Sequence, residues 1–206
     1  MRRFAIFLSS ENYNNYSDTE YCHTDSDNLK NILIDRCDYA IENILQIKLT
    51  PEFKKNSQDI IEEIKELLER SEEGDSILFF YAGHGLAING KSYLILPETR
   101  VFDVETSALA LHDIHHYLRG NQRLNIRIFD CCHSGENIRA ADTNLNSNDF
   151  VKDILLNGGD GTITFSSCAI NEKSYPDIDI RQGVLHHRLC SRLKIARMIV
   201  LCISKI

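Results

Sequence analysis

Read along the chain, short apolar runs alternate with stretches of helical period, the order expected of an α/β sheet. Phe4-Ala5-Ile6-Phe7-Leu8 predicts a buried first strand, and Ile44–Leu49 a second. Between them, Leu29, Ile32 and Leu33 share one face of a helix that Asp25 or Asp27 can cap. Asn56 or Ser57 opens an acidic amphipathic helix with Ile60, Ile61, Ile64, Leu67 and Leu68 turned inward, closing near Gly74. Ser76–Tyr81 is apolar almost throughout, as a central strand covered on both faces must be, and is bounded by Ala82-Gly83-His84-Gly85. Asn89-Gly90 predicts a hairpin turn into Ser92–Leu96. A helix over Ala108–Leu118, a strand over Asn125–Phe129, a short helix around Phe150–Leu156, a strand over Thr162–Ser167 and a helix over Val184–Arg197 follow.

At 206 residues and 43% hydrophobic content the chain fills one core without staples, which excludes a disordered or collagen-like protein. It has no repeat, no low-complexity tract and only three prolines, so residues 1–206 read as a single domain. Thirty acidic against 23 basic residues give a net charge of −7, a poor start for a nucleic-acid binder and a favourable one for cationic ligands. Seven cysteines, at 22, 37, 131, 132, 168, 190 and 202, cannot all pair within the chain and lack CxxC spacing. The expectation is a reducing cytoplasm. The apolar run Phe4–Leu8 is too short for a signal peptide, and Ile195–Ile203, interrupted by Arg197, is too short to span a bilayer. A soluble chain with no membrane partner is expected.

Ligands of open α/β sheets bind outside the carboxyl ends of the strands. Two central strands here end in His84 and Cys132. A thiol is useful as its thiolate, and a nearby imidazole can take the proton. The glycines flanking His84 would let the backbone turn sharply and a substrate backbone approach. Bland readings stand beside this one. A strand-end histidine is more often a structural hydrogen-bonding residue, and Asp25 can simply cap its helix. Cys37, Cys168, Cys190 and Cys202 suit small buried positions. His112, His115 and His116, or His186 and His187, could begin a metal site, but no third or fourth ligand is evident, so no metal is expected. The acidic stretch from Glu62 reads as a solvated helix face.

Phe79-Phe80-Tyr81-Ala82-Gly83-His84-Gly85 and Ile128-Phe129-Asp130-Cys131-Cys132-His133-Ser134-Gly135 resemble the two catalytic motifs of caspase-like cysteine peptidases, most of all the metacaspase and prokaryotic orthocaspase branch. His84 precedes Cys132 by 48 residues, close to the roughly 50 that separate the pair in caspases. Tyr93-Leu94-Ile95-Leu96-Pro97 and Ser166-Ser167-Cys168 extend the likeness. The resemblance implies a mostly parallel central sheet flanked by helices. It implies that His84 is general base and acid and Cys132 the nucleophile, with Cys131 as the rival thiol. Backbone N–H groups of Gly85 and Cys132 would form the oxyanion hole.

The same branch cleaves after Arg or Lys through a first pocket lined with carboxylates. Asp130 matches one, and Cys22-His23-Thr24-Asp25 matches the Cys-x-x-Asp that supplies Cys22 and Asp25. Ala82 stands where the family often has Ser, which removes one polar contact. Many metacaspases bind calcium on an acid-rich insertion; Leu86–Lys91 is short and has no acid, so no calcium requirement and no cofactor are expected. Arg139, in the loop Glu136–Asp149, is an expected self-processing site, and Asn171–Gly183 would wall the substrate groove. Residues 183–206 match the family least, which leaves room for a regulatory partner protein beside the protein or peptide substrates. Two other readings remain open: a dormant caspase-fold binding module that acts by docking a partner, and a Cys/His metal-binding regulator.

Overall fold

The computed structural model describes residues 1–118, 124–133, 147–156, 161–167, 176–177 and 182–183. Its strands are β1 (Arg3–Ser10), β2 (Ile44–Leu49), β3 (Ser76–Ile88), β4 (Lys91–Leu94), β5 (Leu109–Ala110), β6 (Leu124–His133), β7 (Thr162–Ser166), β8 (Pro176–Asp177) and β9 (Gln182–Gly183). Its helices are α1 (Cys22–Cys37), α2 (Ser57–Glu69), α3 (Val104–Ser107), α4 (Leu111–Leu118) and α5 (Ser147–Leu156). β2, β1, β3, β6 and β7 lie side by side in parallel. β4 and β5 continue the sheet antiparallel from the far end of β3, while β8 and β9 pair with each other as a separate two-stranded ribbon. The expected α/β fold, a mostly parallel sheet with helices on both faces, is what the chain adopts.

The pleat explains why the central strands read as unbroken apolar runs. Phe4, Ile6 and Leu8 of β1, Ile77, Phe79 and Tyr81 of β3, and Phe129 and Cys131 of β6 join one core with α2, α4 and α5. Their alternates, Ala5 and Phe7, Leu78, Phe80 and Ala82, and Ile128, join a second core with Cys22, Leu29, Ile32 and Leu33 of α1. Both faces are covered, so alternation disappears from the sequence. Each fully buried Phe or Leu contributes about 1.5–3 kcal/mol to this core. A third cluster, holding Tyr13, Tyr16, Leu86, Tyr93 and Ile95, sits at the carboxyl end of the sheet.

Local signals mostly place these elements. Asn56 caps α2 and Asp59 reciprocates, a capping box that fixes the predicted start. Asn89 (φ 52°) and Gly90 (φ 73°) form the β3–β4 turn with both central residues left-handed, as the Asn-Gly pair predicts. Three expectations need correcting. α1 begins at Cys22, with Tyr21 at φ 67° in the N-cap position and no side-chain cap, so Asp25 is a buried residue of the first turn and neither it nor Asp27 is the cap. β3 does not turn at Gly83-His84-Gly85 but runs on to Ile88, held by β4 and β6. The helix expected over Ala108–Leu118 starts at Leu111, because Leu109 and Ala110 are taken by pairing with β4. The helix expected over Val184–Arg197 lies outside the described residues. No helix among the described residues is long and apolar enough to cross a membrane.

Candidate active site

β3 and β6 run parallel in register from Ser76 and Leu124, which sets Ala82 level with Asp130 and His84 level with Cys132. Adjacent strands lie roughly 4.8 Å apart, so a separation of 48 positions along the chain collapses to one inter-strand spacing. Asp130 and Ala82 are therefore cross-strand neighbours one pleat period before the His84–Cys132 pair. Asp130 and Asp25 are 7% and 3% exposed, two acids enclosed at this end of the sheet. Asp25 comes from α1, the helix that covers the face containing Ala82 and Ile128. Cys22, one turn earlier, is buried and donates its thiol hydrogen to Thr19 Oγ1 at 3.3 Å. Cys131 is 2% exposed within the core on the opposite face, the environment of an inert thiol.

His84 is held from several directions. Its Nε2 lies 2.7 Å from the Ser17 carbonyl oxygen, and its ring lies 4.8 Å from that of Tyr13 and 6.3 Å from that of Tyr16. A carbonyl can only accept, so the proton sits on Nε2 in the neutral ring and Nδ1 is the basic nitrogen. The His84 carbonyl accepts from the Ile95 N–H at 2.9 Å and from the Tyr81 hydroxyl at 2.7 Å. Burial pushes the Tyr81 phenol well above its ordinary pKa, keeping it a neutral donor.

The two glycines beside His84 have separate causes. At Gly83 (φ +150°) a Cβ would come within 2.7 Å of the Tyr81 hydroxyl and 2.8 Å of the Tyr13 hydroxyl. At Gly85 a Cβ would come within 2.4 Å of the Phe150 ring, which α5 lays against the strand. Gly83 thus makes room for two phenol hydroxyls at a φ that L side chains rarely adopt, and Gly85 for an aromatic ring. Gly85 stays in the ladder, level with Leu94 on one side and His133 on the other.

Ala82, His84 and Gly85 thus lie on β3 beside Asp130 and Cys132 on β6, while Cys22 and Asp25 lie in the first turn of α1, with Cys22 in the same cluster as Ala82. Arg139, Cys168, Cys190, Cys202, His186 and His187 lie outside the described residues. The reading missed Tyr13, Ser17 and Phe150. Tyr13 and Tyr16, two of the three tyrosines in the otherwise polar run Glu11–Tyr21, were the available signal, since aromatic residues in a polar loop mark an anchor. Among the described residues, no three His, Cys, Asp or Glu side chains gather as metal ligands. His115 is buried while the neighbouring His112 side chain is 69% exposed, so α4 spreads its histidines over different faces.

A protein-family model described as the caspase domain matches residues 2–199. Among curated proteins, a paracaspase of Dictyostelium discoideum is 26% identical over 108 residues, which is 52% of this chain and 24% of that protein. The chain therefore spans about a quarter of the length of that relative. Among solved structures, a protein of Geobacter sulfurreducens superposes with a TM-score of 0.64 at 14% identity, covering 96% of this chain and 83% of its own. Caspase-1 of Spodoptera frugiperda superposes with a TM-score of 0.60 at 14% identity, covering 95% of this chain and 69% of its own. The structural likenesses carry the fold, and the family match runs across β1 to β9. This chain belongs to the caspase domain family of cysteine peptidases.

Proposed function

We propose that the chain is a cysteine endopeptidase that hydrolyses peptide bonds after Arg or Lys with a His84–Cys132 dyad. The observation that carries this reading is the register of β3 and β6, which sets His84 and Cys132 level, with His84 Nε2 tied to the Ser17 carbonyl. His84 Nδ1 would take the Cys132 thiol proton, and the thiolate would attack the scissile carbonyl carbon. The backbone N–H groups of Gly85 and Cys132 would face the developing oxyanion. Imidazolium would then protonate the departing amine, and water, deprotonated by His84, would hydrolyse the thioester.

Asp25 and Asp130 would form the floor of the first pocket, with Cys22 and Ala82 on its walls. Two enclosed carboxylates suit a planar guanidinium and repel an acidic side chain. Substrates are then proteins or peptides with a basic residue at the cleavage site, calcium is not required, and Arg139 is a self-cleavage site. The chain works in the cytoplasm. The test is hydrolysis of fluorogenic peptides ending in Arg, Lys or Asp, by wild type and Cys132→Ala, in EDTA and then in calcium. Arg or Lys cleavage in EDTA, lost in the variant, is expected. Asp cleavage would overturn the pocket assignment, and turnover by Cys132→Ala would overturn the dyad. Intact mass of wild type beside Cys132→Ala tests self-cleavage, which is refuted if both remain full length.

A further inference from the structure

At His84 the strand β3 changes neighbours. β1 pairs with β3 as far as Ser9 opposite Ala82, and β4 takes up the same edge from Leu94 opposite Gly85. The edge at residues 83–84 belongs to neither ladder. There the His84 carbonyl is met by the Ile95 N–H, but the His84 N–H would meet no strand. It donates instead to the Tyr13 hydroxyl at 3.2 Å, and that hydroxyl donates onward to the Ser10 carbonyl, the last of β1, at 3.0 Å. A phenol thus substitutes for the missing strand.

Tyr13 is 7% exposed, and burial pushes its phenol well up, so it remains a neutral group able to accept and donate at once. Its ring also lies against the His84 ring. The loop that carries it supplies the Ser17 carbonyl, and the same loop is fastened by Thr19 N–H to Glu11 O at 2.8 Å and Asn14 N–H to Pro97 O at 3.0 Å.

We infer that Tyr13 is the positioning residue for His84, bridging the gap between β1 and β4 so that backbone, ring and tautomer of the base are fixed by one loop. The inference rests on the dyad reading. It predicts a kinetic effect separable from loss of fold, because Tyr13→Phe keeps the ring and removes only the hydroxyl. The His84 N–H then loses its acceptor and the base loses its alignment. Misalignment of a reacting pair lowers the chemical step, so kcat per active site should fall about tenfold or more, with KM for an Arg peptide within about twofold.

The experiment measures kcat and KM after titrating active sites, and the pH profile of Cys132 alkylation by iodoacetamide, for wild type, Tyr13→Phe and His84→Ala. The expected result is a wild-type thiol reactive at neutral pH, a profile displaced upward in His84→Ala, and a smaller displacement the same way in Tyr13→Phe. A Tyr13→Phe protein with wild-type kcat per site and an unmoved profile overturns the inference, whatever its melting temperature. A wild-type profile that His84→Ala leaves unmoved sinks the dyad reading, and this inference with it. Should Tyr13→Phe fail to fold, 3-fluorotyrosine at position 13 keeps the hydroxyl but weakens it as an acceptor. A displacement in the same direction supports the inference, and an unmoved profile overturns it.

Discussion

The Ser17 carbonyl oxygen lies 2.7 Å from Nε2 of His84, so a backbone group on the loop after β1 selects the tautomer of an imidazole on β3. A carbonyl is an acceptor at every pH, unlike a carboxylate, and it holds the ring without adding a charge beside it. A histidine held in this way keeps Nδ1 as its basic nitrogen, and Cys132 of β6 stands level with it in the strand register.

The neighbouring cysteines should separate cleanly. His84→Ala and Cys132→Ala should each lower turnover of an Arg peptide by roughly 10²-fold or more, the scale of losing acid–base or nucleophilic catalysis. Cys131→Ala removes a thiol from the core cluster beside Phe129 and should reduce stability while leaving turnover per folded molecule near wild type. Steady-state assays with active-site titration decide it. Turnover that survives Cys132→Ala and vanishes in Cys131→Ala would reverse the assignment.

Gly85→Ala should act through Phe150. The new methyl would stand 2.4 Å from the ring, and overpacking of this kind costs about 1–3 kcal/mol. Phe150→Leu removes the collision, so the double variant should be less destabilised than the sum of the two single ones. Urea unfolding of the four proteins measures the coupling, expected at about 0.5–3 kcal/mol. Strict additivity would mean that the ring is not what excludes a side chain there.

On the proposed reading, removing the carboxylate of Asp25 or Asp130 should reduce recognition of a cation while leaving the chemistry of the proposed dyad in place. Asp25→Asn and Asp130→Asn should each lower kcat/KM for an Arg peptide about 30-fold or more, the scale of ~2 kcal/mol for a buried charge pair broken on one side. Iodoacetamide should still alkylate Cys132 at the wild-type rate. Unchanged kcat/KM in both variants would remove the carboxylates from the account of specificity.

Asp75 ties the first residues of the chain to the start of β3. Burial works against its ionisation, yet N–H groups of Glu72 and Arg2 and the Arg2 side chain hold its carboxyl below the usual carboxylate range. A depressed folded pKa contributes stability that is complete above the unfolded pKa and is lost as pH falls through the folded one. Asp75→Asn should therefore be less stable than wild type at pH 7, by about 1–3 kcal/mol. That gap should narrow on titration toward pH ~3. A gap independent of pH would assign the loss to shape rather than charge.

The sequence by itself determined the α/β class, the order of its main elements and which residues stand at the strand ends. Those features are local. An unbroken apolar run marks Ser76–Tyr81 as central, Asn-Gly dictates its turn, and the Asn56 box opens α2, all through interactions within a few residues. The resemblance carried by the segments around His84 and Cys132 then named the family that the match over residues 2–199 shows. Only the tertiary structure decided how far β3 runs, because its last turn-like residues are held straight by β4 and β6 and not by their own preferences. It also decided what the glycines are for. In the sequence Gly83 and Gly85 suggest a sharp turn with room for a substrate backbone, yet in the fold they are spaces for the Tyr13 and Tyr81 hydroxyls and the Phe150 ring, contributed from up to 70 residues away. The Ser17 carbonyl leaves no mark in sequence at all, since every residue has one. Its position follows from where β1 stops and β4 begins, a relation between strands far apart in the chain that no local pattern encodes.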